Sequence, residues 1–207
     1  MATSDEAARE FAAARRRRRI AAGRRGAVEW VVAVGVAVIA ALVIKTWVAQ
    51  AFVIPSGSME NTLLVGDRVL VSKLSYRLGS VDRGDVIVFD NPSPQQGQPA
   101  QLIKRVVAVG GDTVAARDGR LVVNDEVQDE PWVKVDASGA PAATTMQGAC
   151  GRYRPDEEIV IPDGHVFVLG DNRGQSLDGR CFGPVDEAEI VGHAFVRLWP
   201  VGRIGLL

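Results

Sequence analysis

Fifteen consecutive uncharged residues, Trp30 to Ile44, stand directly behind an arginine-rich leader, and they leave this chain few ways to fold. The run has no polar face, so it is not the stripe of a helix packed on a water-soluble core. Hydrocarbon is the solvent that suits it. At the helical rise these residues reach only about 22 Å, short of the roughly 30 Å hydrocarbon core. The spacing therefore predicts a transmembrane helix over residues 28–49, with the Lys45 ammonium snorkelling to the interface. Residues 1–27 form a basic tail. Through residue 29 the chain carries eight arginines against four acidic side chains, net +4, whereas the remaining 178 residues hold 16 basic and 21 acidic groups, net −5. This asymmetry predicts a single-pass protein of the plasma membrane, its N-terminus cytoplasmic and everything after residue 50 extracytoplasmic. The run Arg15 to Arg19 alone would suit nucleic acid, but the apolar stretch behind it makes membrane lipid the expected partner and excludes nucleic acid. A cleavable secretory signal peptide is the competing reading, because Ala49-Gln50-Ala51 resembles a cleavage site. Lys45 and Trp47 stand where such a peptide carries small neutral residues, and both readings put the main domain outside.

That domain, residues 50–207, reads as short β runs divided by turns. Candidate strands are Arg68–Ser72, Asp85–Phe89, Leu102–Val109, Thr113–Ala116, Arg120–Val123, His165–Leu169 and Ile190–Trp199. Gly-Asp or Asp-Gly pairs at 66–67, 84–85, 111–112, 118–119 and 163–164 punctuate them. No helical period of ten residues appears beyond the apolar run, so the class is mainly β, with a smaller β insertion over about residues 112–165. Asn91 to Ala100 reads as an exposed loop, and Asp136 to Gly151 as a mobile one. Arg83-Gly84-Asp85 is explained as a turn leading into a strand. Cys150 and Cys181 suit an oxidising compartment, as a disulfide or as two free thiols. Together with His165 and His193 they match no zinc spacing, so no metal and no cofactor is expected.

Three segments carry possible chemistry. Pro55-Ser56-Gly57-Ser58-Met59 combines a rigid residue, a glycine and two hydroxyls in a tight turn that can point N–H groups at one spot, as an oxyanion site requires. In Leu102 to Val109, Lys104 shares a face with Leu102, Val106 and Ala108, while Arg105 shares the other with Ile103, Val107 and Val109. Arginine keeps its charge and needs a carboxylate, whereas a buried lysine can become neutral and serve as a base. The plainer alternative is a strand whose two basic ends reach the surface. Gly170 to Arg180 is a polar loop that holds two carboxylates, Asp171 and Asp178, and the hydroxyl of Ser176.

In this order, from the apolar run to the C-terminus, the three segments and Gly66-Asp67 with its strand resemble bacterial type I signal peptidase. The resemblance implies the β fold shared by signal peptidases and self-cleaving repressors, and an endopeptidase that removes signal peptides from exported preproteins after small residues at the first and third positions before the cut. It implies Ser58 as nucleophile and Lys104 as general base. Ser56 and the Ser58 N–H would form the oxyanion hole, and Ser176 would hydrogen-bond the Lys104 amine. Asp171 would pair with Arg105 and Asp178 with Arg180. Phe52, Ile54, Pro55, Met59, Leu63, Leu102 and Ile103 would form the apolar substrate pockets. Partners would be signal peptides, membrane lipid and, transiently, the secretion machinery. Glu60-Asn61 departs from the family's residue-plus-proline after the methionine, and Gly179 stands where a serine is common.

Other classes fit less well. A triad would need His165 or His193, each in an apolar strand without an accompanying motif. A sortase-like mechanism would rest on Cys181 and lacks that family's threonine-led cysteine motif. A self-cleaving repressor would carry a DNA-binding domain in place of the apolar run. A tethered, non-catalytic binding domain of the cell envelope stays open on sequence alone.

Overall fold

The computed structural model describes residues 29–42, 48–94 and 96–207. Two units are distinguished, Met1–Thr46 and Trp47–Leu207. In the first, residues 29–42 form a helix, α1, and its apolar side chains, among them Trp30, Val36 and Ile39, are exposed. Among the described residues no helix is long and apolar enough to cross a membrane. The basic tail, residue 28 and residues 43–47 of the expected span lie outside the described residues. One boundary is corrected: Ala49 is not helical but pairs with Ser72 in a β ladder.

The second unit is built on β1 (Ala49–Val53), β2 (Arg68–Ser72), β3 (Val86–Asp90), β4 (Gln101–Val109), β5 (Thr113–Arg117), β6 (Arg120–Val123), β7 (Glu126–Val127), β8 (Ile159–Val160), β9 (His165–Leu169), β10 (Val185–Asp186), β11 (Ile190–Trp199) and β12 (Gly205–Leu206), with short helices α2 (Ser75–Leu78) and α3 (Gly179–Phe182). The larger sheet has the order β1-β2-β11-β3-β4-β9-β10, with β12 on β11. The smaller has the order β7-β6-β5-β8. Every pairing is antiparallel.

Burial explains why the central strands read as unbroken apolar runs. In β3 the residues Val86 to Phe89 are all buried, and in β4 so are the six from Ile103 to Ala108, because both faces of these strands are covered. In β2, by contrast, Val69 and Val71 turn inward and Arg68 outward, the alternation of a strand with one covered face. The simple alternation predicted for β4 breaks near its end. A register shift against β9 between Val106 and Ala108 inserts one extra residue, so Val109 packs with Leu102 and Val106 while Ala108 joins Val107 in the neighbouring core.

One loop expectation changes. Residues 136–151 are not a free loop: Met146 is fully buried in the core with Leu121 and Phe167, Thr144 is buried, and Cys150 is bonded to Cys181. The small and polar residues of this stretch do not signal these three anchors. Asn91 to Ala100 closes the β3–β4 hairpin through Asn91 N–H to the Ala100 carbonyl, 2.8 Å.

Gly192 marks the tightest strand approach. Next to a register shift in β11, a Cβ at this position would come within 2.2 Å of the Ser72 carbonyl oxygen, a backbone atom of β2. Gly192→Ala is expected to lower unfolding stability by about 1–3 kcal/mol, read as a lower denaturant midpoint. An unchanged midpoint would show that β11 can shift at no cost.

Candidate active site

The turn after β1 is held from below and from one side. Met59 and Leu63, both fully buried, anchor the 3-10 segment Gly57–Met59 in the core, and Leu63 N–H donates to the Met59 carbonyl at 2.7 Å. Asn172 grips the same turn from the Gly170–Arg180 loop. Its N–H donates to the Ser58 carbonyl at 3.1 Å and its Nδ2 to the Gly57 carbonyl at 3.0 Å. The approach tolerates only glycine at 170, where a Cβ would lie 2.5 Å from the Ser58 carbonyl oxygen and 2.2 Å from Ser176 Oγ.

Lys104 arrives from β4, and its Nζ donates to Ser58 Oγ at 2.7 Å and to the Ile103 carbonyl at 2.8 Å. The side chain is 3% exposed. Burial pushes its ammonium down from the ordinary 10.5 to about 8, against the opposing attraction of the Asp178 and Asp171 carboxylates. Ser56 Oγ lies 3.4 Å from Ser58 Oγ. Ser58 is the second residue of the 3-10 segment Gly57–Met59, and the leading N–H groups of such a turn have no partner within it. The arrangement can therefore present a hydroxyl, a base and two hydrogen-bond donors to one carbonyl group.

The neighbouring cation is handled differently. Arg105 makes a two-pronged pair with Asp171, Nε to Oδ1 at 3.0 Å and Nη2 to Oδ2 at 2.8 Å, and stacks 4.5 Å from the centroid of Trp132. Thr62 Oγ1 donates to Asp171 Oδ2 at 2.5 Å. Arg180 embraces Asp178 in the same manner, with both contacts at 2.8 Å, and Asp178 Oδ2 also accepts from Gly170 N–H. Thr62, Asn172 and Trp132 carried no sequence signal of their own. Neither did Arg173, which is buried and bound to Glu130 and Thr144.

Two sequence expectations need correction. Ser176 makes no hydrogen bond to Lys104: its Oγ is buried without a partner among the described residues, because Lys104 Nζ points to Ser58 and to its own strand. Met59 and Leu63 line no pocket, being wholly enclosed in the core with Ile54, Val69 and Val86. The remaining apolar candidates converge. Phe52, Ile54, Pro55, Leu102 and Ile103 line a hollow of 280 Å³. At Ser56, Pro99, Leu102 and Lys104 it meets a larger one of 570 Å³, which includes Ser58 and extends to the Cys150–Cys181 disulfide. Neither histidine bonds Ser58: His165 Nδ1 faces the Asp163 carbonyl and His193 lies beside Asp85 and Tyr76.

Both departures at 60–61 and 179 have local causes. Asn61 has φ +93°, a conformation closed to proline, and its Nδ2 donates to the Trp132 carbonyl, while Glu60 pairs with Lys134 at 2.6 Å. At Gly179 a Cβ would press on the Phe167 ring at 2.8 Å and on the Val168 carbonyl oxygen at 2.9 Å.

Residues 27–199 match the family described as "Signal peptidase, peptidase S26". A protein of Synechocystis sp. named "Probable signal peptidase I-2" is 39% identical over 173 residues, covering 83% of this chain and 72% of its own. A "Signal peptidase I" of Leptolyngbya laminosa is 36% identical over 183 residues, 86% of this chain and 83% of its own. A "Signal peptidase IB" of Staphylococcus aureus is 34% identical over 175 residues, 83% and 89% respectively.

Burial of Lys104 opposes folding only while the amine is charged. With the folded value at about 8 and the ordinary one at 10.5, the unfolded chain binds more protons between the two, so stability rises with pH across that window. Lys104→Met, similar in length but uncharged, is expected to be more stable than the parent near neutral pH by about 2–3 kcal/mol. The gap should close between about pH 8 and 10.5 in equilibrium unfolding. A gap independent of pH would refute charge burial as its origin.

Proposed function

The chain belongs to the signal peptidase family, peptidase S26, a family of serine hydrolases, and we propose that it removes signal peptides from exported precursors with Ser58 as nucleophile and Lys104 as general base. One observation carries the proposal: the 2.7 Å contact between Lys104 Nζ and Ser58 Oγ in a setting that lowers the lysine's proton affinity. An ordinary lysine, with pKa about 10.4, is neutral in roughly one molecule in 2,500 at pH 7. At about 8 the neutral fraction is near one in ten, enough for a working base.

Neutral Lys104 takes the Ser58 proton as Oγ attacks the scissile carbonyl carbon. Ser56 Oγ–H and the Ser58 N–H hold the resulting oxyanion. The protonated lysine then gives its proton to the leaving amine, the C–N bond breaks, and an ester on Ser58 remains. Water, deprotonated by Lys104, hydrolyses the ester and restores both side chains. The smaller hollow, walled by Phe52, Ile54 and Leu102, suits small apolar side chains before the cut. Extended segments at Phe52–Pro55 and Gln101–Ile103 offer backbone for a substrate added as a strand.

A membrane setting is part of the same reading. It is supported by the uncharged run that supplies all of α1 after Glu29, by the arginines before it, and by the exposed Trp199, Val201, Ile204 and Leu206 in the second unit. The N-terminus would be cytoplasmic and the β unit extracytoplasmic.

Detergent-solubilised protein is expected to cleave a precursor at an Ala-x-Ala site, with the rate rising with pH and levelling above about 8. Ser58→Ala, Lys104→Ala and Lys104→Arg should each lower kcat by at least about 10³-fold, the last because arginine does not release its proton. Cleavage that persists in Ser58→Ala or Lys104→Ala would exclude the dyad. A non-catalytic envelope-binding domain would show no cleavage by the parent protein.

A further inference from the structure

The reaction just described uses only part of the groove. Residues before the cut fit the smaller apolar hollow, so the chain beyond the cut continues past Ser58 into the larger one, whose far wall is formed by Leu177, Phe182 and the Cys150–Cys181 disulfide. The charge of this second hollow is one-sided. Lys104 and Arg152 line it, and among the described residues no aspartate or glutamate does. Lys104 has to be neutral when it acts, which leaves Arg152 as the standing charge. Besides Ser56 and Ser58, its polar side chains are Asn91, Ser93, Gln98 and Gln175, all uncharged.

Arg152 is exposed, and its Nε donates to Tyr153 Oη at 3.2 Å, with the guanidinium 5.5 Å from the centre of that ring. It also lies against Gly183, where an added Cβ would meet Nη2 at 3.3 Å. Among the described residues it has no carboxylate partner, unlike Arg105, Arg173 and Arg180, each of which is paired. Two residues before it, Cys150 is covalently held to the groove wall at Cys181, so the backbone that bears Arg152 is fixed beside the site.

We propose that Arg152 is a specificity-determining residue that favours precursors with an aspartate or glutamate among the first three residues after the cut. The inference rests on the peptidase reading above. An exposed ion pair of this kind is worth a factor of about two to five, and added salt weakens it.

The full chain in detergent, with a peptide set identical through an Ala-x-Ala cut site, tests this. Asp, Asn or Lys is placed singly at each of the first three positions beyond the cut. In the parent protein kcat/KM is expected to be about two- to fivefold higher for Asp than for Asn at one of these positions, and lowest for Lys. The ratio should shrink as salt rises from about 0.05 to 0.5 M. Arg152→Glu should reverse the order, a result that loss of folding cannot produce. Equal kcat/KM across the set in the parent protein overturns the proposal while leaving the peptidase reading intact, and so does a preference for Asp that survives Arg152→Glu. Failure to cut any member of the set overturns both.

Discussion

Adjacent cations in the middle of a covered strand make opposite demands on their surroundings, and much of this unit is organised around meeting both. Arg105 cannot shed its proton, so it must be given a carboxylate, and Asp171 meets it with two parallel contacts while Trp132 closes over the guanidinium plane. Lys104, one residue earlier and on the opposite face of β4, has no carboxylate within bonding distance among the described residues, only a hydroxyl and a carbonyl. Desolvation then outweighs the more distant pull of Asp171 and Asp178, and the lysine's proton is held loosely. The same pair of carboxylates thus satisfies two arginines while leaving the lysine unsatisfied.

Those carboxylates sit on a loop that has little apolar content to hold it down. Polar contacts take the place of a hydrophobic core there. Asp178 closes the loop on itself through Arg180 and Gly170, Arg180 Nη2 reaches the Arg173 carbonyl at 2.8 Å, and Arg173 extends the chain of contacts to Glu130 and Thr144. The network ends on the segment that the Cys150–Cys181 bond also restrains. A buried network of this kind is rigid only when every member is satisfied, which makes Ser176 Oγ, unpartnered beside Gly170 and Ser58, and Trp132 Nε1, on the ring that covers Arg105, its two open positions among the described side chains.

Sequence reading reaches some of this and not the rest, for physical reasons. Strands such as β2, β6, β9 and β11 are legible because β-branched runs between Gly-Asp turns have few other uses. Lys104 stands out because a strand with apolar residues on both sides has nowhere cheap to put an amine. The bulge in β4 is invisible, since an extra residue leaves composition unchanged and only shifts which neighbours touch. Met59 and Leu63 lie near Ser58 in sequence, yet a helical turn points them into the core, and proximity along the chain does not show that. Glu130 and Thr144 acquire their role only through a fold that brings Arg173 across more than 25 residues. β1 is masked by continuity with the apolar run before it.

That first strand bears on the molecule's own survival. Ala49-Gln50-Ala51 is the kind of sequence a peptidase for small residues would cut, and it precedes Ser58 by only a few positions. Here it is no substrate in waiting: Ala49, Gln50 and Ala51 are each locked in register with Ser72, Val71 and Leu70. A protease reads an extended chain through its backbone hydrogen bonds, and this stretch has already committed one edge of its backbone to β2. A second copy that bound both edges of this stretch would first have to peel β1 from β2, so the ladder that begins the domain also guards its link to whatever precedes it.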